Sequence, residues 1–541
     1  MRTKLYVLSV TVLMVLLSLS CNKAKENIDI LINADIIHYS VLFDVREATT
    51  GSIPNGLSVS AIGQDAGVVY DISGNKNLSM DGGLLTLGID PHYDPQGGNP
   101  LKFSLKITGE GYATMIVPVT INEEQFHQVK NVKLLRLSNP PASVTVVNTN
   151  EALAANSTPA QPIVVSSPVT ADVPEIVTVT VPVGTKFLDN SGTQLNGDLL
   201  NLSVVNYNAQ NSDNNDLFPG GTFAAEDVNG PNGQTISTYF TTAAVAKVTF
   251  TINGQEVKKF DQPISLLLEV NPSYKMAGTN DAVKVGDKLS IWSYSEDTGK
   301  WSYEKEGTVT LVNGKLVVEF TTNHLTYYSL NEYAETTSCS SPNLVFNASW
   351  LNVNTQPMVL QIWNSDGSKL LETNTVIVSN GLEYALNNLP SYAVSYKVLT
   401  TSGEQLAVGT IANPCSGGRL NVQVAAPAVP VVGVTLSLTV KCPNKGIVTP
   451  PDFYLYYKTA GAADATYKLL GVVKKGKLTT TLLQLGQRYD FKAQWGDHVK
   501  IIKNYLIDKN NLSTTVGLDD HIGDISPEKN RAILIEECSK I

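Results

Sequence analysis

Short runs of alternating apolar and polar residues, interrupted by Gly, Pro, Asn or Asp, recur along this chain. Val177, Val179 and Val181 face one way while Thr178 and Thr180 face the other. Further on, Phe453, Leu455 and Tyr457 alternate with Tyr454 and Tyr456. A period of two is what a strand with one buried face requires, because successive side chains leave opposite sides of a sheet. Past the first residues, no stretch carries the 3.6-residue period of a long amphipathic helix. The expected fold class is therefore all-β, as a tandem set of β-sandwiches. The 541 residues allow several such units, and an apolar fraction of 43% can fill their cores.

Turn residues divide the chain at 28–137, 172–335, 339–427 and 433–541. A Pro/Ser/Thr-rich segment at 138–171 reads as a linker whose edges partly pair with the next domain. The first region holds "TTGSIPNGLSVSA", "GGLLTL" and "GEGYATMIVPVTI". In that order they resemble the carboxypeptidase regulatory-like sandwich of Bacteroidota surface proteins, a resemblance that implies a fold and no peptidase activity. The second region carries "VTVPVGTKFLDNSG", "FPGG", "IWSYSEDTGKWSYEKEG" and "NHLTYYSLNEY". It is similar to β-rich extracellular modules of the cartilage intermediate layer protein type, which are structural or adhesive, although Tyr327 and Tyr328 stand where that family usually has Trp. The last region, through Gly486 to Gly496, resembles the penultimate strands of an immunoglobulin-like sandwich. The third is read as a sandwich of the same kind.

The N-terminus directs the chain out of the cytoplasm. Arg2 and Lys4 precede an apolar run from Leu5 to Leu17, which is shorter than the roughly 20 residues a spanning helix needs. It has the build of a secretory signal. Leu17-Ser18-Leu19-Ser20-Cys21 resembles the lipobox of bacterial lipoproteins. That resemblance implies a signal peptide over 1–20, a lipidated tether over 21–27, and acyl chains on Cys21 that anchor the protein to a membrane. The expected location is the cell envelope, as an outer-membrane lipoprotein displayed at the surface rather than toward the periplasm.

Four further cysteines remain: Cys339, Cys415, Cys442 and Cys538. An even set in an exported chain reads as two disulfides with three connectivities open. The preferred pairing joins Cys339 to Cys415 and Cys442 to Cys538, one pair per C-terminal domain. Leu436, Leu438, Val440 and Cys442 share a strand face, and a final strand over 532–535 would bring Cys538 to them.

Recognisable reaction chemistry is scarce. No GxSxG or HExxH motif occurs, and His38, His92, His127, His324, His498 and His521 lack a nucleophile or ligand frame. His324 reads as a packing or hydrogen-bonding residue of its strand. Asp90-Pro91-His92-Tyr93-Asp94 reads as a turn rather than a metal site. Asn211-Ser212-Asp213-Asn214-Asn215-Asp216 offers oxygen ligands but not the register of a calcium loop, so it reads as a solvated loop. No catalytic residue, cofactor or metal is expected. Nucleic acid is an unsuitable partner, because 39 Lys+Arg face 49 Asp+Glu for a net charge of −10.

One constellation invites a ligand. Trp292 and Tyr294 lie two apart, as do Trp301 and Tyr303, across the turn Glu296-Asp297-Thr298-Gly299. Paired in register, these four rings form either buried core or an exposed platform on which a sugar ring can stack. The overall expectation is a lipid-anchored, non-catalytic binding, adhesion or scaffolding protein that meets a glycan or an outer-membrane protein. The alternative is a glycan-capturing accessory lipoprotein of a nutrient-uptake system. A third reading is an envelope hydrolase with an unrecognised site.

Overall fold

The computed structural model describes residues 32–33 and 37–516, except 73, 96–98, 124, 219–223, 278, 337–338, 388, 429–431, 443–445 and 496–497, together with Ile535, Cys538 and Ser539. The signal segment, Cys21 and the tether lie outside the described residues. The fold is all-β, as the alternation requires. Among the described residues the strands form seven sheets, and four cores belong to four sandwich modules, module 1 over 37–137, module 2 over 144–335, module 3 over 339–428 and module 4 over 432–516, with further buried clusters between them.

Module 1 sets Leu57–Ile62, Leu101–Gly109 and Met115–Ile121 against a second sheet. In that sheet Ser40–Glu47 lies parallel to His127–Leu134 and antiparallel to Leu84–Ile89. Leu84, Leu85 and Leu87 are all buried, as are Val41, Leu42 and Phe43. Consecutive buried residues point to opposite faces, so both sides of this sheet must be covered. Val41, Phe43 and Leu85 fill the core of module 1, whereas Leu42, Leu84 and Val129 meet Tyr454, Tyr456 and Val472 of the C-terminal module.

Module 2 packs an eight-stranded sheet on a six-stranded one over a large aliphatic core. Val144–Ala152 and Ile163–Ser166, from the Pro-rich segment, pair along their lengths with strands of this module. Module 3 shares a sheet with module 1, through the single pair Thr375 and Val129. Asn131 Nδ2 donates to Thr375 Oγ1 at 2.7 Å beside that junction.

The modules are thus docked around module 1 and do not hang from one another as beads. This arrangement decides between the two readings of the aromatic hairpin, in favour of buried core. Trp292 (0% exposed), Tyr294 (1%) and Trp301 (4%) are buried, and Tyr303 is partly so. Their cluster includes Ala113, Ile116 and Leu135 of module 1, with Phe240 and Tyr327 of module 2. The rings meet edge to face, Phe240 on Trp292 at 4.8 Å and Tyr294 on Trp301 at 5.1 Å. Such aromatic area is costly to leave in water when an apolar surface is available to cover it. Gly299 closes the hairpin at φ +70°, within reach of Ile62 and Ile116. The hairpin is the seat of module 1.

Cys339–Cys415 and Cys442–Cys538 are both disulfide-bonded. The final strand expected over 532–535 falls mostly outside the described residues. Ile535, Cys538 and Ser539 are helical, while Ala532 to Leu534 lie outside the described residues. Cys442 and Cys538 are buried against Val448. The crosslink, rather than strand pairing, holds the described end of the chain to module 4.

Candidate functional site

Three modules converge on a cleft of about 210 Å³. Module 1 contributes Lys102 and Lys130, module 2 contributes Glu226, Asp227 and Trp301, and module 3 contributes Glu372, Asn374 and Tyr384. Each side chain reaches the cleft for a local reason. Lys102 and Lys130 lie on strands Leu101–Gly109 and His127–Leu134. Glu226 and Asp227 occupy a bulge, because the ladder along Ala224–Asn229 shifts register between Ala225 and Val228. Asp227 sits there at φ +53°, a left-handed conformation that costs a non-Gly residue free energy. The bulge re-aims both carboxylates away from the ladder.

Lys102 Nζ lies 2.9 Å from Glu226 and 3.1 Å from Asp227. Burial works against the charge on Lys102, but these two ion pairs outweigh it and hold the amine above its usual range. Lys130 differs. Among the described residues, no carboxylate pairs with it and no side chain hydrogen-bonds to it. Burial pushes its amine below the usual lysine value, against the weaker pull of Glu372 and Glu226. Burial raises Glu372, which is opposed by the Asn374 amide at 2.7 Å and by the Lys130 charge. The half-buried Tyr384 adds ring surface, Trp301 backs the wall from the core, and the buried Tyr294 hydroxyl has no partner among the described residues. The arrangement can bind a small polar molecule by hydrogen bonds and ring contact.

A second cavity, about 450 Å³, lies within module 2 and is lined by Lys258, Ser293, Glu296 and His324. Several of its polar groups are engaged by residues outside the lining. Ser293 Oγ donates to Glu304 at 2.6 Å, His324 Nε2 lies 3.4 Å from Glu304, and Lys247 pairs with Glu296 at 2.7 Å.

One side-chain line has the residue types of a hydrolytic triad. Ser40 Oγ lies 2.9 Å from His127 Nδ1, and Asp452 Oδ2 lies 3.3 Å from His127 Nε2. Ser40 is 4% exposed, on a strand paired on both sides, and its hydroxyl also lies 3.3 Å from Tyr454 Oη. A nucleophile has to meet substrate and an oxyanion site; here module 4 covers the serine. The line fastens module 4 to module 1.

The other residues singled out in the sequence fall apart in space. His92 Nδ1 meets Asp90 at 2.9 Å in an exposed turn. The segment Asn211–Asp216, expected as a solvated loop, contains a short 3-10 turn with Asn214 and Asn215 buried. Asn214 Nδ2 donates to the carbonyls of Ser143 and Asn208, both at 2.9 Å, and Asn215 Nδ2 donates to Leu370 O at 3.0 Å. Its amides therefore hold module 2 to itself and to module 3. Among the described residues, no group of three or more His, Cys, Asp or Glu side chains is placed to hold a metal.

Lys130, Glu372, Glu226 and Asp227 were not singled out by sequence reading. The one signal for them was the pair of acids that interrupts alternation between Ala225 and Val228.

No family model matches the chain, and no curated protein matches it. Among solved structures, a streptococcal ancillary pilin is similar at 11% identity, covering 43% of this chain and 93% of that one, with a TM-score of 0.13. The Bacillus anthracis TIE protein is similar at 9% identity, covering 70% of this chain and 75% of that one, with a TM-score of 0.14. BcpA, the major pilin subunit of Bacillus cereus, is similar at 10% identity over 72% of this chain and 99% of that one, with a TM-score of 0.13. At such scores these likenesses carry no argument about activity.

Proposed function

We propose that this chain is an exported, lipid-anchored scaffold of a bacterial envelope that works by binding rather than by catalysis. Acyl chains on Cys21 hold it at an outer membrane, and the docked modules present a fixed surface to a partner. In this reading module 1 is a carboxypeptidase regulatory-like sandwich and module 2 a cartilage intermediate layer-type module. The supporting observation is the burial of module 1 between its neighbours, by Trp292 and Trp301 on one side and Tyr454 and Tyr456 on another. Modules joined in this way keep their binding surfaces in one geometry, which suits a scaffold. Two disulfides are consistent with an oxidising compartment.

The test is metabolic labelling with an alkyne fatty acid, followed by protease treatment of intact cells and crosslinking. The labelled protein should be cleaved from outside and should crosslink to an envelope partner. A Cys21→Ala chain should lose both the label and the membrane fraction. An unlabelled chain free in the soluble fraction would contradict the proposal.

A second reading, capture of a glycan, is favoured by the three-module cleft rather than by the aromatic hairpin first singled out for it.

A further inference from the structure

From the cleft between modules 1, 2 and 3 we infer a binding site for the terminal ring or rings of a neutral oligosaccharide, with Lys130 and Glu372 as its polar floor and the half-buried Tyr384 as ring surface. This inference rests on the non-catalytic binding reading and gives it a ligand class.

Charge balance selects the ligand first. Lys102, Lys130 and Lys300 bring three positive charges to the lining, and Glu226, Asp227 and Glu372 bring three negative ones, with Lys102 paired to Glu226 and Asp227 at 2.9 and 3.1 Å. Lys130 and Glu372 have opposite signs and both face the same space. No net charge is left to match a phosphate, a sulfate or a cationic peptide, and each would meet a like charge in the cleft.

Hydrogen bonding selects next. Lys130 only donates, Glu372 only accepts when ionised, and the amides of Asn374 and Asn387 do both. A sugar hydroxyl also donates and accepts, so neighbouring hydroxyls of one ring can serve both floor residues. Lys130 gains most. Its half-buried ammonium has no direct partner among the described residues, and a ligand oxygen would supply that bond.

Shape supports the same class. The apolar face of a pyranose stacks on an aromatic ring, and the half-buried Tyr384 lines the cleft. The space, about 210 Å³, lies below the ~300–1,000 Å³ of drug-sized sites, which fits a chain end rather than a long segment.

The experiment uses the full mature chain in a detergent without a sugar headgroup. An array of neutral glycans is screened, and hits are titrated by tryptophan fluorescence alongside glucose 6-phosphate. At least one neutral glycan should bind, with glucose 6-phosphate at least 10-fold weaker than that glycan. Lys130→Met and Glu372→Gln should each weaken binding 10-fold or more. Lys130→Met keeps the apolar stem of a half-buried side chain and should leave the melting temperature within a few degrees of the parent, so its loss of binding would not reflect misfolding. A wild-type chain that binds no neutral glycan, or binding that survives both substitutions, would overturn the inference. Either result would leave the scaffold proposal standing, because fatty-acid labelling and crosslinking test that separately.

Discussion

The Tyr454 hydroxyl donates to the backbone carbonyl of Gln128 at 2.8 Å, across 326 positions of sequence. It also reaches the carbonyl of Ser40 at 3.2 Å, so one phenol from module 4 spans two adjacent strands of module 1. A carbonyl buried beneath another module cannot turn to water for a partner. The contact therefore specifies which surface of module 1 module 4 must cover.

Tyr454→Phe keeps the ring and removes these bonds. Leaving buried acceptors without a donor should cost about 1–3 kcal/mol. Denaturant unfolding should show the loss, and limited proteolysis should cut the mutant first in the last module.

Trp292 is buried between module 2 and module 1 and touches Phe240, Tyr303 and Tyr333. Trp292→Ala should destabilise the protein by about 3–5 kcal/mol, through lost burial and the cavity left behind. An exposed sugar platform would instead tolerate the change in a melting experiment.

Glu47 gives the protein an acid-sensitive point. Its carboxylate accepts from Tyr112 at 2.5 Å and from Arg136 at 2.9 Å, and hydroxyls of Thr50 and Ser52 add to these. The Tyr112 bond leads the causes that hold the group down to about 2, from 4.5, against the opposing effect of burial. The unfolded chain therefore binds this proton more readily than the folded one. The stabilisation is complete above pH 4.5 and fades as pH falls toward 2, by roughly 3 kcal/mol in all. In a pH series of unfolding midpoints, Glu47→Gln should be less stable at neutral pH and should flatten that acid limb.

Sequence periodicity revealed strands because alternation is local: Val177, Val179 and Val181 announce their face without help from the rest of the chain. The pairing of Cys442 with Cys538 was legible for a related reason, since each domain held one pair. What covers a face is a different question. The same four aromatics describe a ligand platform or a buried seat, and only Ile116 and Leu135, from another module, decide between them. Ser40, His127 and Asp452 look unrelated in sequence, as do Lys130 and Glu372, because each set is assembled by docking. The helical turn at Cys538 was missed because four apolar residues fit either period.

The Cys442–Cys538 crosslink closes a loop across 96 positions. Replacing both cysteines with Ser should cost about 4–5 kcal/mol on the loop-entropy account. Chemical denaturation of the double variant, compared with the unreduced parent, measures it. Because Cys538 is helical rather than part of a sheet, the residues after Val516 should also become the earliest protease target.

Small-angle scattering from the mature chain tests the docking of all four modules around module 1 most directly. A single compact body of this length should have a radius of gyration of about 24 Å. A radius well above that, rising with the flexible-chain signature of modules moving independently, would contradict the account.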